Sequence, residues 1–166
     1  MLRWAVKDCT GPVAVRYPRG GSEISGDCFN NDPAAICSYS DSAAATLISY
    51  GTVSAEMLSA ATMLQDAGIG CTALRLLSAT HYSCEELAKQ IRGKHVFVIE
   101  EVCAGSGISG EISMVLKAQG SDCTVHALDL GRDFTPHGDT RSLYRLTGLD
   151  RESIVNSVRE VLQHEN

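Results

Sequence analysis

His95-Val96-Phe97-Val98-Ile99-Glu100-Glu101-Val102-Cys103-Ala104-Gly105-Ser106-Gly107-Ile108-Ser109-Gly110 carries the decision on fold. Its first half is a short run, apolar from Val96 to Ile99 without polar alternation, as a central parallel strand covered on both faces requires. Its second half is a glycine-rich turn opening a helix predicted to run to about Gln119. Outward from this unit the same strand–helix order repeats. Upstream, Ala45–Tyr50 reads as a short apolar strand ending at Gly51. Val53, Met57, Leu58, Ala61 and Leu64 then recur at steps of three and four, the spacing of an amphipathic helix, which Gly68 closes. Gly70–Leu77 reads as another strand, and Ser83 as the N-cap of a helix over Glu85–Ile91, with Glu86 three residues on. Downstream, Cys123–Asp129 is a strand, followed by a loop holding Phe134-Thr135-Pro136-His137-Gly138. Two helices close the chain, Thr140–Thr147 and one from Asp150, its N-cap, through Leu162. This alternation predicts an α/β fold: a three-layer sandwich around a mostly parallel five-stranded sheet, with one edge strand free to run antiparallel. The fifth strand falls near Ala35–Tyr39.

The remaining segments set the domain limits. Residues 1–20 read as a helix remnant followed by an extended strand, Val13 to Tyr17. Residues 21–42, rich in Gly, Ser, Asp, Asn and Pro, read as a linker. The compact domain spans 43–166. A length of 166 residues suits one domain with a real core plus a short extra segment. The formal net charge of −6 and the low aromatic content make nucleic acid a poor partner. No apolar stretch approaches the roughly 20 residues that span a bilayer, so no membrane partner is expected, and the N-terminus reads as a helix end, not a secretory leader. Seven cysteines, an odd number without a C-x-x-C pair, fit free thiols in a reducing cytoplasm better than a disulfide or zinc framework.

Gly105-Ser106-Gly107-Ile108-Ser109-Gly110 satisfies G-x-G-x-x-G between a strand and a helix, with Asp129 roughly 20 residues on where a ribose-binding acid would stand. An autonomous Rossmann-like nucleotide-binding module is therefore one reading. Three features oppose it. Two strand–helix units precede the glycines, whereas the fingerprint usually opens its unit. Glu100-Glu101 would repel a pyrophosphate. Val102-Cys103-Ala104 lengthens the turn. The other reading is that the glycines let the helix start pack closely on its surroundings.

Gly11-Pro12-Val13-Ala14-Val15-Arg16-Tyr17-Pro18-Arg19-Gly20 sets two arginines and a tyrosine around a proline that stiffens the chain. A guanidinium held this way is a preorganised anion ligand. The decapeptide resembles the G-P-x-A-I/V-R-Y-P-R-G motif of the 1-deoxy-D-xylulose-5-phosphate synthases, thiamine-diphosphate enzymes of the transketolase superfamily. Further resemblances are Ser49-Tyr50-Gly51-Thr52, Ile99-Glu100-Glu101 with the glycine turn, Phe134–Gly138, and Leu146-Thr147-Gly148-Leu149-Asp150. Together they run from residue 11 to about 160.

The resemblance implies a C-terminal domain of such a synthase, with 1–20 as the tail of the preceding pyrimidine-binding domain. It implies condensation of pyruvate with glyceraldehyde 3-phosphate in the intact enzyme, which feeds isoprenoid and thiamine precursors. Arg19 is then similar to the residue gripping the substrate phosphate, with Arg16 in support. Tyr17, Glu100, Glu101 and His137 fall at an interface or the active-site edge. Thiamine diphosphate and Mg²⁺ belong to the intact enzyme, not to this chain: Gly26-Asp27 is followed by Cys28 rather than the glycine of the family's G-D-G motif, and Asn30-Asn31 come too soon. No catalytic or metal-binding residue is expected in this chain, which is predicted to be inactive alone. Its expected partners are the thiamine-binding domains, in the same or a separate chain, and a second copy in a homodimer. An assembly-only subunit of a split transketolase-type enzyme is a further reading. His81 and His126 have no partner in the sequence that suggests a triad or a metal.

Overall fold

The computed structural model describes residues 2–17, 34–38, 42–78 and 83–164. In chain order the elements are α1 (Leu2–Lys7), β1 (Ala34–Ser38), β2 (Ala45–Tyr50), α2 (Ser54–Asp66), β3 (Cys71–Leu76), α3 (Cys84–Gln90), β4 (His95–Ile99), α4 (Ser109–Ala118), β5 (Thr124–Leu128), α5 (Thr140–Thr147) and α6 (Arg151–Gln163). The sheet order is β1-β3-β2-β4-β5. Strands β2 to β5 are parallel, and β1 is an antiparallel edge strand against β3. The four-stranded parallel core and its antiparallel fifth strand are the expected α/β architecture.

The connections explain the three layers. From β2 the chain crosses to β3 on one side, then returns past β2 to β4 and on to β5. Right-handed crossovers running in opposite directions put α2 on one face and α3 and α4 on the other. Residues of the strands divide accordingly. Ala45, Leu47, Ala73, Phe97 and Ile99 pack with Met57, Leu64, Ile154 and Val158 of α2 and α6. Ile48, Leu74, Leu76, Val96 and Val98 pack with Leu87, Ile112 and Leu116 of α3 and α4. Strand β4 is buried along its whole length, which is why its sequence shows no polar alternation.

Local signals place the helix ends. The Ser83 hydroxyl accepts the Glu86 N–H at 3.2 Å, and Asp150 stands in extended backbone one residue before α6. Across the two helices on one face, the Arg151 guanidinium grips Glu56 with two bonds of 2.9 Å, and the Arg151 backbone N–H adds a third to the same carboxylate. Bonding to Arg151 holds the Glu56 carboxyl below its ordinary range.

One expectation needs revision. Val13–Tyr17 is not a strand: it runs without sheet pairing, because its apolar residues meet no described neighbour strand. The short strand expected inside the linker does form, at Ala34–Ser38, and folds back on β3. Most of the 21–42 segment, and His81, lie outside the described residues.

Gly93, in the turn before β4, has φ +77°, and a Cβ there would lie 2.4 Å from the Ala44 carbonyl oxygen. We expect Gly93→Ala to lose at least about 1–3 kcal/mol, the cost of a left-handed non-glycine residue before any overlap is counted. Urea denaturation monitored by circular dichroism would measure it.

Candidate functional site

Because β3 and β4 lie on opposite sides of β2, the sheet has its switch point between β2 and β4. Parallel α/β folds bind ligands in the crevice at the carboxyl ends of such strands. Here that crevice is filled by the protein's own side chains. Tyr50 ends β2, and Glu100 immediately follows β4. Both point to the face covered by α4, since Ile48 and Val98 precede them by two residues on that face.

Glu100 is 1% exposed. One of its oxygens, Oε2, accepts the Tyr50 hydroxyl at 3.0 Å and the Ile108 N–H at 2.8 Å. Its other oxygen accepts the Ser109 N–H at 3.2 Å. These amides are the free donors at the start of α4, the usual place for a bound anion. The carboxylate thus sits where a phosphate of a nucleotide would sit. Gly107 makes room for it: a Cβ at Gly107 would lie 2.2 Å from Glu100 Oε2. The nucleotide-binding reading of G-x-G-x-x-G is corrected here. The middle glycine serves the approach of Glu100, and the helix start is already occupied by a negative charge.

A second set of groups lies beside the first. Thr52 donates its hydroxyl to Glu101 at 2.5 Å, and the Tyr144 hydroxyl donates to Thr52 at 3.4 Å. Burial, followed by the Glu100 charge, pushes the Tyr50 phenol up to about 12. Burial, with the Glu101 charge also acting, does the same to Tyr144, to about 12. Both tyrosines therefore remain protonated donors across the physiological range. The positive charge of Arg16 acts on Tyr50 in the opposite sense.

The sequence-derived residues are distributed as follows. Arg16 and Tyr17 are exposed, Tyr17 at 84%. Arg19 lies outside the described residues. Glu100 is buried and structural, whereas Glu101 is exposed on the same edge. His137 is exposed in the loop after β5, near the fully exposed Phe134. The partner of Glu100 was not named from sequence. Tyr50 is distant in the chain, and only the adjacency of β2 and β4 reveals it. His126, read as isolated, does have a partner. Its Nε2 lies 3.0 Å from Nδ1 of His95, and its ring stacks on Phe97. Among the described residues no group of three or more His, Cys, Asp or Glu side chains could hold a metal ion. No helix among them is long and apolar enough to cross a membrane.

The family model for the transketolase C-terminal domain matches residues 39–154. The chain belongs to the transketolase C-terminal domain family. This transketolase C-terminal domain is 30% identical over 168 residues to the 1-deoxy-D-xylulose-5-phosphate synthase of Chlorobaculum tepidum, covering 96% of this chain and 26% of that protein. It is 31% identical over 172 residues to the synthase of Clostridium botulinum, covering 95% and 26%. It thus spans about a quarter of the length of the curated relatives it matches. Among solved structures, a split gene transketolase, described as an inactive beta4 tetramer, superposes with a TM-score of 0.70 at 21% identity, over 86% of this chain and 47% of that one. Transketolase from Campylobacter jejuni superposes with a TM-score of 0.54 at 16% identity, over 78% and 18%. These structural likenesses establish the fold of the transketolase C-terminal domain.

Two outcomes test this geometry. Glu100→Gln replaces an acceptor of helix N–H groups by an amide whose NH₂ must face a donor, and should lose about 1–3 kcal/mol in chemical denaturation. Burial, then the neighbouring His95, holds the His126 imidazole below its ordinary value of 6.5. The unfolded chain therefore takes up this proton at higher pH than the folded chain, and stability falls as pH drops through that range. The melting temperature should decrease from about pH 7 to about pH 5, and less steeply in His126→Gln.

Proposed function

We propose that the chain is the C-terminal domain of a 1-deoxy-D-xylulose-5-phosphate synthase-like enzyme that condenses pyruvate, after its decarboxylation, with glyceraldehyde 3-phosphate. The observation that carries this reading is the alignment of synthases to 95–96% of the chain, a span that includes the arginine decapeptide, the paired glutamates and the Phe134–Gly138 loop. In this reading residues 1–20 close the preceding pyrimidine-binding domain, 21–42 link, and 43–166 form the C-terminal domain, with β1 of the linker returned to the sheet edge. Arg19 grips the phosphate of glyceraldehyde 3-phosphate as a fork of N–H donors, and Arg16 supports it. Tyr17, Glu101 and His137 form the rim, where this domain meets the others.

Thiamine diphosphate, with a divalent metal, would supply the carbanion chemistry of such an enzyme. The residues described here do not fit that group. Glu100 fills the helix start at the glycine turn, and the described side chains provide no metal cluster. In this reading the cofactor belongs to partner domains, and the isolated chain is inactive. The partner domains reside in the same enzyme, as part of one chain or as a separate polypeptide, in a cytoplasmic homodimer. The likeness to a split gene transketolase whose chain forms an inactive tetramer favours a separate, assembly-dependent subunit as the second reading.

The test is reconstitution. The purified chain is mixed with a polypeptide carrying the two preceding domains of a related synthase, and synthesis of 1-deoxy-D-xylulose 5-phosphate is followed. Activity should appear only in the mixture. Arg19→Ala should lower kcat/KM for glyceraldehyde 3-phosphate about 10- to 100-fold, through KM, as expected for one charge-assisted phosphate contact. Turnover by the 166-residue chain without a partner would overturn the proposal.

A further inference from the structure

The amino ends of the parallel strands carry a second concave surface. A groove of about 640 Å³ opens between the turns that precede β2, β3 and β4 and the last turns of α6. Glu100 and Tyr50 stand at the other ends of the same strands, roughly 20 Å away for strands of this length. The groove has the size of a small-molecule site. Gly70 and Gly93 bring bare backbone to its walls, and Ile69 and Leu162 give it an apolar side. His95, only 5% exposed, forms its floor. That ring is pinned, with its Nδ1 3.0 Å from Nε2 of His126.

The formal charges around the groove are of one sign. Lys94, from the turn before β4, and Arg159, from α6, both line it, and no Asp or Glu among the described residues does. The chain as a whole carries 20 acidic residues against 14 Lys and Arg. Both cations are exposed. Among the described residues, neither side chain has a hydrogen-bond or ion-pair partner. The ends of α2 and α6 also reach the groove, and helix C-termini attract cations. The last carbonyls of α2 are already engaged, because the N–H groups of Ala67, Gly68 and Ile69 donate to Met63, Leu64 and Gln65.

We propose that this groove binds a small organic oxyanion, a phosphate ester or a polycarboxylate, with its charged group between Lys94 and Arg159 and its carbon skeleton against Ile69 and Leu162. Arg159 offers a planar fork of donors and Lys94 a point charge, and bonds from such cations to an oxyanion are the strong ones. The two cations come from opposite walls, so a ligand carrying more than one negative oxygen engages both. The site lies at the opposite end of the sheet from the Glu100 crevice. It therefore rests neither on that crevice nor on the assignment to a synthase.

Titration of the full chain with inorganic pyrophosphate and, separately, with citrate tests the site, at matched ionic strength because exposed charges are screened by salt. The amide resonances of Gly70, Gly93 and Lys94 and the ring resonances of His95 should shift and saturate with at least one of the two. Saturation by pyrophosphate assigns the phosphate class, and saturation by citrate the polycarboxylate class. Lys94→Gln and Arg159→Gln, both at exposed positions, should each raise the dissociation constant about tenfold or more, with little change in melting temperature. Arg141→Gln removes an exposed guanidinium that does not line the groove and should leave affinity unchanged. The proposal is overturned if neither anion saturates these signals, or if Arg141→Gln weakens binding as much as the groove variants do. It is also overturned if Lys94→Gln and Arg159→Gln lower the melting temperature while affinity stays the same, since the two cations would then serve the helix ends alone.

Discussion

One buried carboxylate organises this domain. Glu100 leaves the end of the central strand, turns into the crevice between β2 and β4, and takes hydrogen bonds from Tyr50 and from the first free amides of α4. A carboxylate so deeply buried is tolerable only with donors on its oxygens. The chain supplies them from two elements at once, so the bond set fixes the start of α4 relative to the sheet. Gly107 follows from that arrangement, because any side chain there would strike the carboxylate.

The same interaction decides what the glycine turn can do. A helix N-terminus at the switch point of a parallel sheet is the standard place for a phosphate. Filling it with an internal charge removes it from ligand binding and makes it part of the scaffold. Glu101, Tyr17, Phe134 and His137 are each exposed to solvent.

Local patterns made most of the fold legible. The apolar runs of β2, β3 and β4 and the capping residues Ser83 and Asp150 depend on neighbours in sequence, and they fall where the sequence placed them. Strand pairing joins residues distant in the chain, and local patterns do not carry it. Val13–Tyr17 has the composition of a strand but no described partner strand. Tyr50 is 50 residues from Glu100 in the chain, and only the adjacency of β2 and β4 brings the two together. His95 and His126 meet because neighbouring strands align Phe97 with His126. The resemblance carried the family correctly, since its motifs are spread over nearly the whole chain.

The most direct test of this account is a nitrogen-resolved amide spectrum of the chain, observed at Gly107, Ile108 and Ser109 while NAD, ATP or inorganic pyrophosphate is added. With Glu100 seated on these amides, their resonances should stay in place at millimolar ligand. Saturable shifts at Ile108 and Ser109 would mean that the helix start is open to phosphate, which would contradict the account.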